Sequence, residues 1–253
     1  MSIYQSNDIL EVKSVSKSFK DLEVIKDVNI ALREKEFVSI IGPSGCGKST
    51  LFNIISGLMN PCEGMVFLEN TDITGLSGRI SYMQQKDLLL PWKSIIDNVT
   101  LPLKIKGIDK AKRNEQVKNY FELFGLSGFE DSYPSQLSGG MKQRASLMRA
   151  YMFSNQVMLL DEPFAGLDEI TKTKMHKWLL EINEKLKTSC LLITHDVNEA
   201  IFLSDRIYVL SERPGRIIKE LKIDIDKNLE NLETTVEFNS IKRKIIGFME
   251  EFQ

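Results

Sequence analysis

The sequence predicts an α/β fold, and three observations carry that prediction. Short apolar runs, Phe37–Ile41, Val157–Leu160 and Cys190–Ile193, stop abruptly at glycine or polar residues. Runs of this length and character read as strands buried on both faces. The first leads straight into Gly42-Pro43-Ser44-Gly45-Cys46-Gly47-Lys48-Ser49-Thr50 and then into Leu51-Phe52-Asn53-Ile54-Ile55, apolar at helical spacing. From Ser94 to Gln136 the pattern is helical, with no strand signal to interrupt it. That stretch reads as a helical insertion into an α/β core.

Composition narrows the function classes. The chain has 253 residues, 42% of them apolar and 27% charged, with a formal net charge of −2. A near-neutral chain without a basic block gives no electrostatic footprint for nucleic acid or for free-standing membrane adsorption, so any membrane association is expected to run through a protein partner. The apolar runs are too short to span a bilayer, and Met1-Ser2-Ile3-Tyr4 lacks the basic and apolar regions of a signal peptide. A cytoplasmic protein is expected. Cys46, Cys62 and Cys190 are scattered without C-x-x-C spacing, which reads as free thiols rather than a disulfide framework or zinc site. Cys46 lies among main-chain N–H groups and beside Lys48, where a lowered pKa would make it a modification site.

Taken in order, Ile9–Val12, Val24-Ile25 and Val28–Leu32 read as antiparallel strands that lead into the Phe37–Ile41 strand. Phe19 stands in a polar stretch, where it either packs at a strand end or stacks on a flat base. The Gly42–Thr50 segment has the G-x-x-x-x-G-K-[ST] spacing of a phosphate-binding loop. Gly42, Gly45 and Gly47 let successive N–H groups curl around an anion, with the positive end of the next helix behind them. Lys48 supplies a point charge to the β- and γ-phosphates, the Ser49 hydroxyl one Mg²⁺ position, and Thr50 a donor to the α-phosphate. After a helix stop at Gly57 to Pro61, Gly64–Leu68 and Ile80–Gln85 read as strands. Gln85, where the second of these ends, is a Mg²⁺ ligand or water-orienting residue on one reading and a solvated polar residue on the other. Leu88-Leu89-Leu90-Pro91-Trp92 is too apolar for an ordinary solvent-facing loop and reads as a docking surface.

Within the helical stretch, Ile95, Ile96 and Val99 share one face, as do Val117, Tyr120, Phe121 and Phe124, and the charges from Lys110 to Lys118 read as a solvated face. Ser138-Gly139-Gly140 opens another helix, as a simple N-cap or as a second anion site made of a hydroxyl, bare N–H groups and a helix dipole. The Val157–Leu160 strand ends in Asp161-Glu162-Pro163. Adjacent carboxylates project differently, so Asp161 is expected to bind Mg²⁺ and Glu162 to act as general base on an attacking water. His195 follows the Cys190–Ile193 strand and is expected to contact the γ-phosphate or that water. His176 sits in a charged, exposed-looking helix and receives no role. Ile207–Leu210 and Ile217-Ile218 flank the turn Glu212-Arg213-Pro214-Gly215-Arg216. After a polar linker near Asp226 to Asn231, Ile241, Ile245, Phe248, Met249 and Phe252 are spaced for a closing amphipathic helix.

Assembled in this order, the motifs resemble the ATP-binding subunit of an ABC transporter, over nearly the whole chain. GPSGCGKST is similar to the Walker A motif, Gln85 to the Q-loop glutamine, LSGGMKQR to the ABC signature, VMLLDEP to Walker B with its catalytic glutamate, AGLD to the D-loop, and His195 to the switch histidine. The resemblance implies an ABC-type P-loop NTPase: a mixed sheet core, an antiparallel β subdomain and an inserted helical subdomain. It implies an ATPase domain at about 5–225, with helical insertion near 86–150, and a C-terminal linker and helix at 226–253. It also implies ATP and Mg²⁺ as ligands, with Phe19 stacked on adenine. Two copies would close head-to-tail, so that Ser138, Gly139 and Gly140 meet the nucleotide of the other copy and Asp168 links the two sites. Further implied partners are an integral membrane permease, with Leu88–Trp92 near the contact, and indirectly an extracytoplasmic substrate-binding protein; nucleic acid is not among them. The chain would then be peripheral, on the cytoplasmic face of the cell membrane.

Asp87-Leu88-Leu89-Leu90-Pro91-Trp92 and Glu212-Arg213-Pro214-Gly215-Arg216-Ile217 resemble the importer branch for nitrate, sulfonates, taurine and vitamin or pyrimidine precursors. One departure is Lys35, at a turn where the family usually has glycine. A soluble ABC ATPase of translation or DNA maintenance is the rival reading, but such proteins usually carry two cassettes or a long coiled-coil insertion. A nucleotide sensor without turnover would have no need of Glu162, Gln85 and His195.

Overall fold

The computed structural model describes residues 8–227, 229 and 232–251. Phe252 and positions 228, 230 and 231 of the expected linker lie outside the described residues, as do the first seven. The chain divides into two compact units, one made of the residues up to Ile80 together with those from Thr188 onward, the other of Ser81–Lys187.

In the first unit, β1 (Asp8–Phe19) and β2 (Leu22–Arg33) form an antiparallel hairpin. The runs at Val24-Ile25 and Val28–Leu32 thus belong to one strand. β3 (Phe37–Ile41) and helix α1 (Lys48–Ile55) follow, then β4 (Glu63–Leu68) and β5 (Thr71–Asp72). β4 pairs with the other edge of β1, giving the antiparallel order β2-β1-β4-β5. Val12 lies opposite Ile30 on one side and Val66 on the other, and all three are buried.

The second unit begins with β6 (Ser81–Met83) and continues through α2 (Ile95–Val99), α3 (Leu101–Ile105), α4 (Lys110–Leu123), α5 (Gly139–Phe153), β7 (Val157–Asp161) and α6 (Glu169–Leu186). β6 and β7 pair in parallel. Val117, Phe121 and Phe124 are buried, and the Phe124 ring meets Tyr151 and Trp178 at centroid distances of 6.2 and 5.9 Å. Most of the stretch expected to be helical is helical, with turns and irregular chain over 124–133; of the charges from Lys110 to Lys118, Lys110, Lys112, Glu115 and Lys118 are exposed and Arg113 is half-buried.

The chain returns to the first unit with β8 (Ser189–Ile193), α7 (Val197–Leu203), β9 (Arg206–Leu210), β10 (Ile217–Lys222) and α8 (Val236–Glu251). β3 lies between β8 and β9, parallel to both, and β10 closes antiparallel on β9. Every residue of β3, β8 and β9 is buried, as expected for strands covered on both faces. On α8, Phe238 and Ile245 are buried while Ile241, Phe248 and Met249 are half-buried. No helix among the described residues is long and apolar enough to cross a membrane.

Arg206 knots this sheet to its neighbours. Its guanidinium forks onto both Glu36 carboxylate oxygens at 2.9 Å and also reaches Glu220 at 2.7 Å, the Tyr208 hydroxyl at 2.8 Å and the Ala31 carbonyl at 2.6 Å. Burial alone would lower its pKa, but the bonds from Glu36 and Glu220 prevail and raise it. Glu36 also accepts from the Arg33 main chain at 2.9 Å, which tightens the turn between β2 and β3.

Lys35 stands in that turn at φ 60°, the left-handed region that glycine adopts without cost. The turn thus has backbone suited to glycine, with lysine standing in it. Its N–H still donates to Ser189 Oγ at 2.8 Å, a bond that glycine would retain. Left-handed backbone costs an L-residue about 1–2 kcal/mol, while glycine's extra unfolded-state freedom takes back about 0.5–1 kcal/mol. Lys35→Gly is predicted to raise the unfolding free energy by about 0.5–1 kcal/mol. In urea titration the midpoint should rise at constant slope; an unchanged or lower midpoint would refute the strain.

Candidate functional site

The phosphate loop is shaped by backbone that only glycine adopts easily. Gly45 has φ 78° and Gly47 φ 109°, and a Cβ on Gly47 would come within 3.0 Å of both the Val24 carbonyl and Ile25 Cγ1. Lys48, the first residue of α1, turns back into the loop. Its ammonium donates to the Gly42 and Pro43 carbonyls at 2.8 Å each and lies 3.8 Å from Cys46 Sγ. Lys48 is only 7% exposed, and all three of these partners are uncharged. A cation buried among dipoles is poised for an anion. Ser44, Gly45 and Ser49 are exposed and Thr50 is half-buried. Cys46 is 1% exposed, so its expected role as a modification site is withdrawn: the loop that was to activate the thiol also shields it.

Strand register places the other first-unit candidate. Ile40 of β3 pairs with Ile193 of β8, so Gly42 and His195 each come two residues beyond paired positions, at the carboxyl ends of adjacent parallel strands. His195 is exposed there. Phe19 ends β1, 44% exposed, with Lys17 Nζ 5.4 Å from its ring centroid. A flat face left this open at a strand end is available for stacking.

The second unit repeats the arrangement. Met83 of β6 pairs with Leu160 of β7, so Gln85 and Glu162 each lie two residues beyond that pair, and Gln85 Nε2 donates to Glu162 Oε2 at 3.0 Å. Glu162 has φ 46°, a left-handed conformation that turns it sharply out of line with the strand. Asp161, still within β7, is 6% exposed and accepts from the Tyr82 hydroxyl at 3.1 Å. The two carboxylates thus have different surroundings. A carboxylate such as Asp161 in this unit, like a hydroxyl such as Ser49 in the other, is a hard oxygen donor of the kind Mg²⁺ takes.

Ser138 caps α5, its hydroxyl accepting from the Met141 N–H at 3.4 Å, so the N-cap reading is realised. Ser138 and Gly139 are exposed and Gly140 is buried. Asp168 caps α6 through Thr171 N–H at 3.0 Å, and the Thr171 hydroxyl and amide hold its carboxyl below the usual range. His176 is buried, not exposed as its charged neighbours suggested, and its ring meets Phe164 edge-on at 4.9 Å.

Residues 25–165 match the family described as ABC transporter. The chain is 41% identical over 242 residues to a formylaminopyrimidine import ATP-binding protein of Halalkalibacterium halodurans, covering 94% of this chain and 95% of that protein. It is 39% identical to an aliphatic sulfonates import ATP-binding protein of Bacillus cereus, covering 92% and 91%, and 39% identical to a nitrate import ATP-binding protein of Synechocystis, covering 85% and 83%. Among solved structures it is similar to a dimeric ATP-binding cassette in a post-hydrolysis state bound to ADP and Pi. That match has a TM-score of 0.73 and 31% identity, and covers 86% of this chain and all of the other.

Two participants escaped the sequence reading. Arg213 reaches the phosphate loop from 168 positions away, donating to the Gly45 carbonyl. Tyr82 holds Asp161, and nothing in a tyrosine within a short strand distinguishes that duty from packing. Burial, then the Asp161 carboxylate beside it, pushes the Tyr82 phenol up. Tyr82→Phe is predicted to destabilise the fold by about 1.5–3 kcal/mol at pH 7, the scale of a hydrogen bond to a charged group. The deficit should shrink above about pH 10, the ordinary tyrosine value. There the unfolded wild type loses its phenolic proton while the folded one keeps it, so the wild type alone loses stability. Denaturation of both proteins at pH 7 and 10.5 checks this; a constant gap would refute it.

Proposed function

We infer the function from family and site together: this chain belongs to the ABC transporter family, whose match spans more than half of it. It is the ATP-binding and ATP-hydrolysing subunit of an import system. The observation that carries the site assignment is the buried ammonium of Lys48, bonded to main-chain carbonyls within a loop of bare N–H groups. Gly42 to Thr50 wrap the phosphates of ATP, and Lys48 meets the β- and γ-phosphates. Phe19 stacks on the adenine. Ser49, Asp161 and the Gln85 carbonyl oxygen are the Mg²⁺ positions; the ion, when bound, offsets phosphate charge.

Glu162 takes the proton of the attacking water. The amide of Gln85 donates to one carboxylate oxygen and so fixes the plane of that side chain. His195 contacts the γ-phosphate. Ser138, Gly139 and Gly140 meet the γ-phosphate bound to a second copy, and Asp168 links the two sites. ATP favours the closed dimer because only that state completes its contacts, and hydrolysis removes the preference. The ATPase domain runs from about 5 to 225, with a helical subdomain near 86–150, and 226–253 form a C-terminal appendage.

The partner is an integral permease, met through the apolar loop around Leu88 and Trp92, which are 50% and 71% exposed. The chain then sits on the cytoplasmic face of the membrane, with a substrate-binding protein acting outside. The cargo is a small solute of the nitrate, sulfonate or pyrimidine-precursor class, by likeness to the named relatives.

Affinity purification of the tagged chain from gently solubilised membranes of its host tests the assignment. A permease and a binding protein should accompany it; ribosomes or nucleic acid instead would support a soluble ATPase. Glu162→Gln is predicted to lower turnover by about 10²–10⁴-fold, the usual contribution of a general base. ATP-dependent dimers should persist in gel filtration. Phosphate release at wild-type rates would remove Glu162 from the role of base.

A further inference from the structure

We infer that Arg213 is a positioning residue for nucleotide binding, acting by fixing the Gly45-Cys46 peptide of the phosphate loop. Its Nε and Nη2 both donate to the Gly45 carbonyl, at 3.1 and 2.6 Å. This grip lies on the exposed side of the loop, since Arg213 and Gly45 are both exposed. In a trans peptide the C=O and the following N–H point opposite ways. Holding the Gly45 carbonyl outward therefore turns the Cys46 N–H inward. It points at the Pro43 carbonyl, the same oxygen that receives Lys48 Nζ, at a long 3.4 Å. A donor so weakly engaged beside the ammonium is ready for a stronger acceptor, and a phosphate oxygen is one.

The turn that presents Arg213 is fastened independently of its side chain. Gly215 N–H donates to the Val24 carbonyl at 2.9 Å, and the Gly215 carbonyl accepts from Lys26 N–H at 3.1 Å. Ser211 Oγ donates to the Pro214 carbonyl at 3.0 Å and accepts from Arg216 N–H at 3.0 Å. Gly215 passes directly beneath the loop, where a Cβ would fall on the Cys46 carbonyl oxygen. Arg213 thus works from an anchored base. Without its fork, Gly45, at φ 78° and free of a Cβ, can rotate its peptide and lose the inward N–H.

The inference rests on the reading of Gly42–Thr50 as the nucleotide-phosphate site, and the test separates the two. Arg213→Ala, Arg213→Lys and Lys48→Ala are compared with the wild type for MgADP affinity by titration calorimetry, for ATPase KM and kcat, and for melting without nucleotide. Arg213→Ala should weaken MgADP about tenfold, the scale of a charge-assisted hydrogen bond. It should raise KM similarly, keep kcat within about twofold and leave the nucleotide-free melting temperature unchanged. Arg213→Lys should recover part of the affinity, because a single ammonium donor replaces the fork. Wild-type affinity in Arg213→Ala would overturn the inference, as would an equal loss of nucleotide-free stability, which makes Arg213 merely structural. Lys48→Ala binding as well as wild type would instead overturn the reading of the loop itself.

Discussion

Parallel strands held in register must end level, and the chemistry of this chain depends on that constraint. β3 and β8 are buried on both faces, so no polar side chain can be displayed along them without heavy desolvation cost. Their carboxyl ends are the first positions where a polar group meets space. Because Ile40 and Ile193 are paired, the phosphate loop and His195 emerge side by side. Pairing of Met83 with Leu160 does the same for Gln85 and Glu162, and the two side chains meet at 3.0 Å. A one-residue slip of either pair would reverse the faces and separate the groups. The mainly apolar sequence of these strands, in which buried Ser39 is bonded to Ser204, is thus as much a requirement of the site as its polar residues.

Unusual backbone recurs in the turns around these strands. Glu162, Leu88 and Lys35 all have left-handed φ, at 46°, 46° and 60°. Each would be relaxed as glycine, so each side chain is retained against a conformational cost. For Glu162 the return is a carboxylate facing Gln85 one residue after a carboxylate facing Tyr82, a divergence that extended backbone would also give but without the sharp turn into Pro163. Leu88 has its carbonyl, and Asp87 its own, held by the Arg149 guanidinium at 2.7 and 2.6 Å. That grip from α5 presents the exposed Leu88 while Leu89 is buried beneath it.

Much of this was legible in the sequence, for identifiable reasons. The phosphate loop could be read because its function is performed by backbone, which leaves glycines and one lysine at fixed spacing. The apolar strands could be read because burial on both faces leaves no alternation. His176 misled because Lys174 and Lys177 beside it look solvated, whereas the buried face of α6 runs through Met175, His176, Leu179 and Ile182. The fate of the Cys46 thiol could not be read, since burial comes from distant neighbours such as Gly215 and Leu210 around the loop. Arg213 was visible only as part of a branch resemblance, because its target is 168 residues away and is a carbonyl, which has no sequence signature.

Two charged groups proposed for the nucleotide are buried to a similar degree, Lys48 at 7% in the first unit and Asp161 at 6% in the second, yet they are held differently. Asp161 accepts a hydrogen bond from the Tyr82 hydroxyl. Lys48 is held by carbonyl oxygens, which stabilise a cation but do not neutralise it. Dipoles offset only part of the desolvation cost of such a charge. An arriving polyphosphate supplies what the loop lacks, and it does so where N–H groups already converge. Affinity for the nucleotide then comes in part from relieving a cost built into the empty loop, which is why the loop must be held open and in shape before the nucleotide arrives. Gly215 beneath it, Arg213 across its rim and β2 beside it maintain that shape without entering the space that the phosphates need.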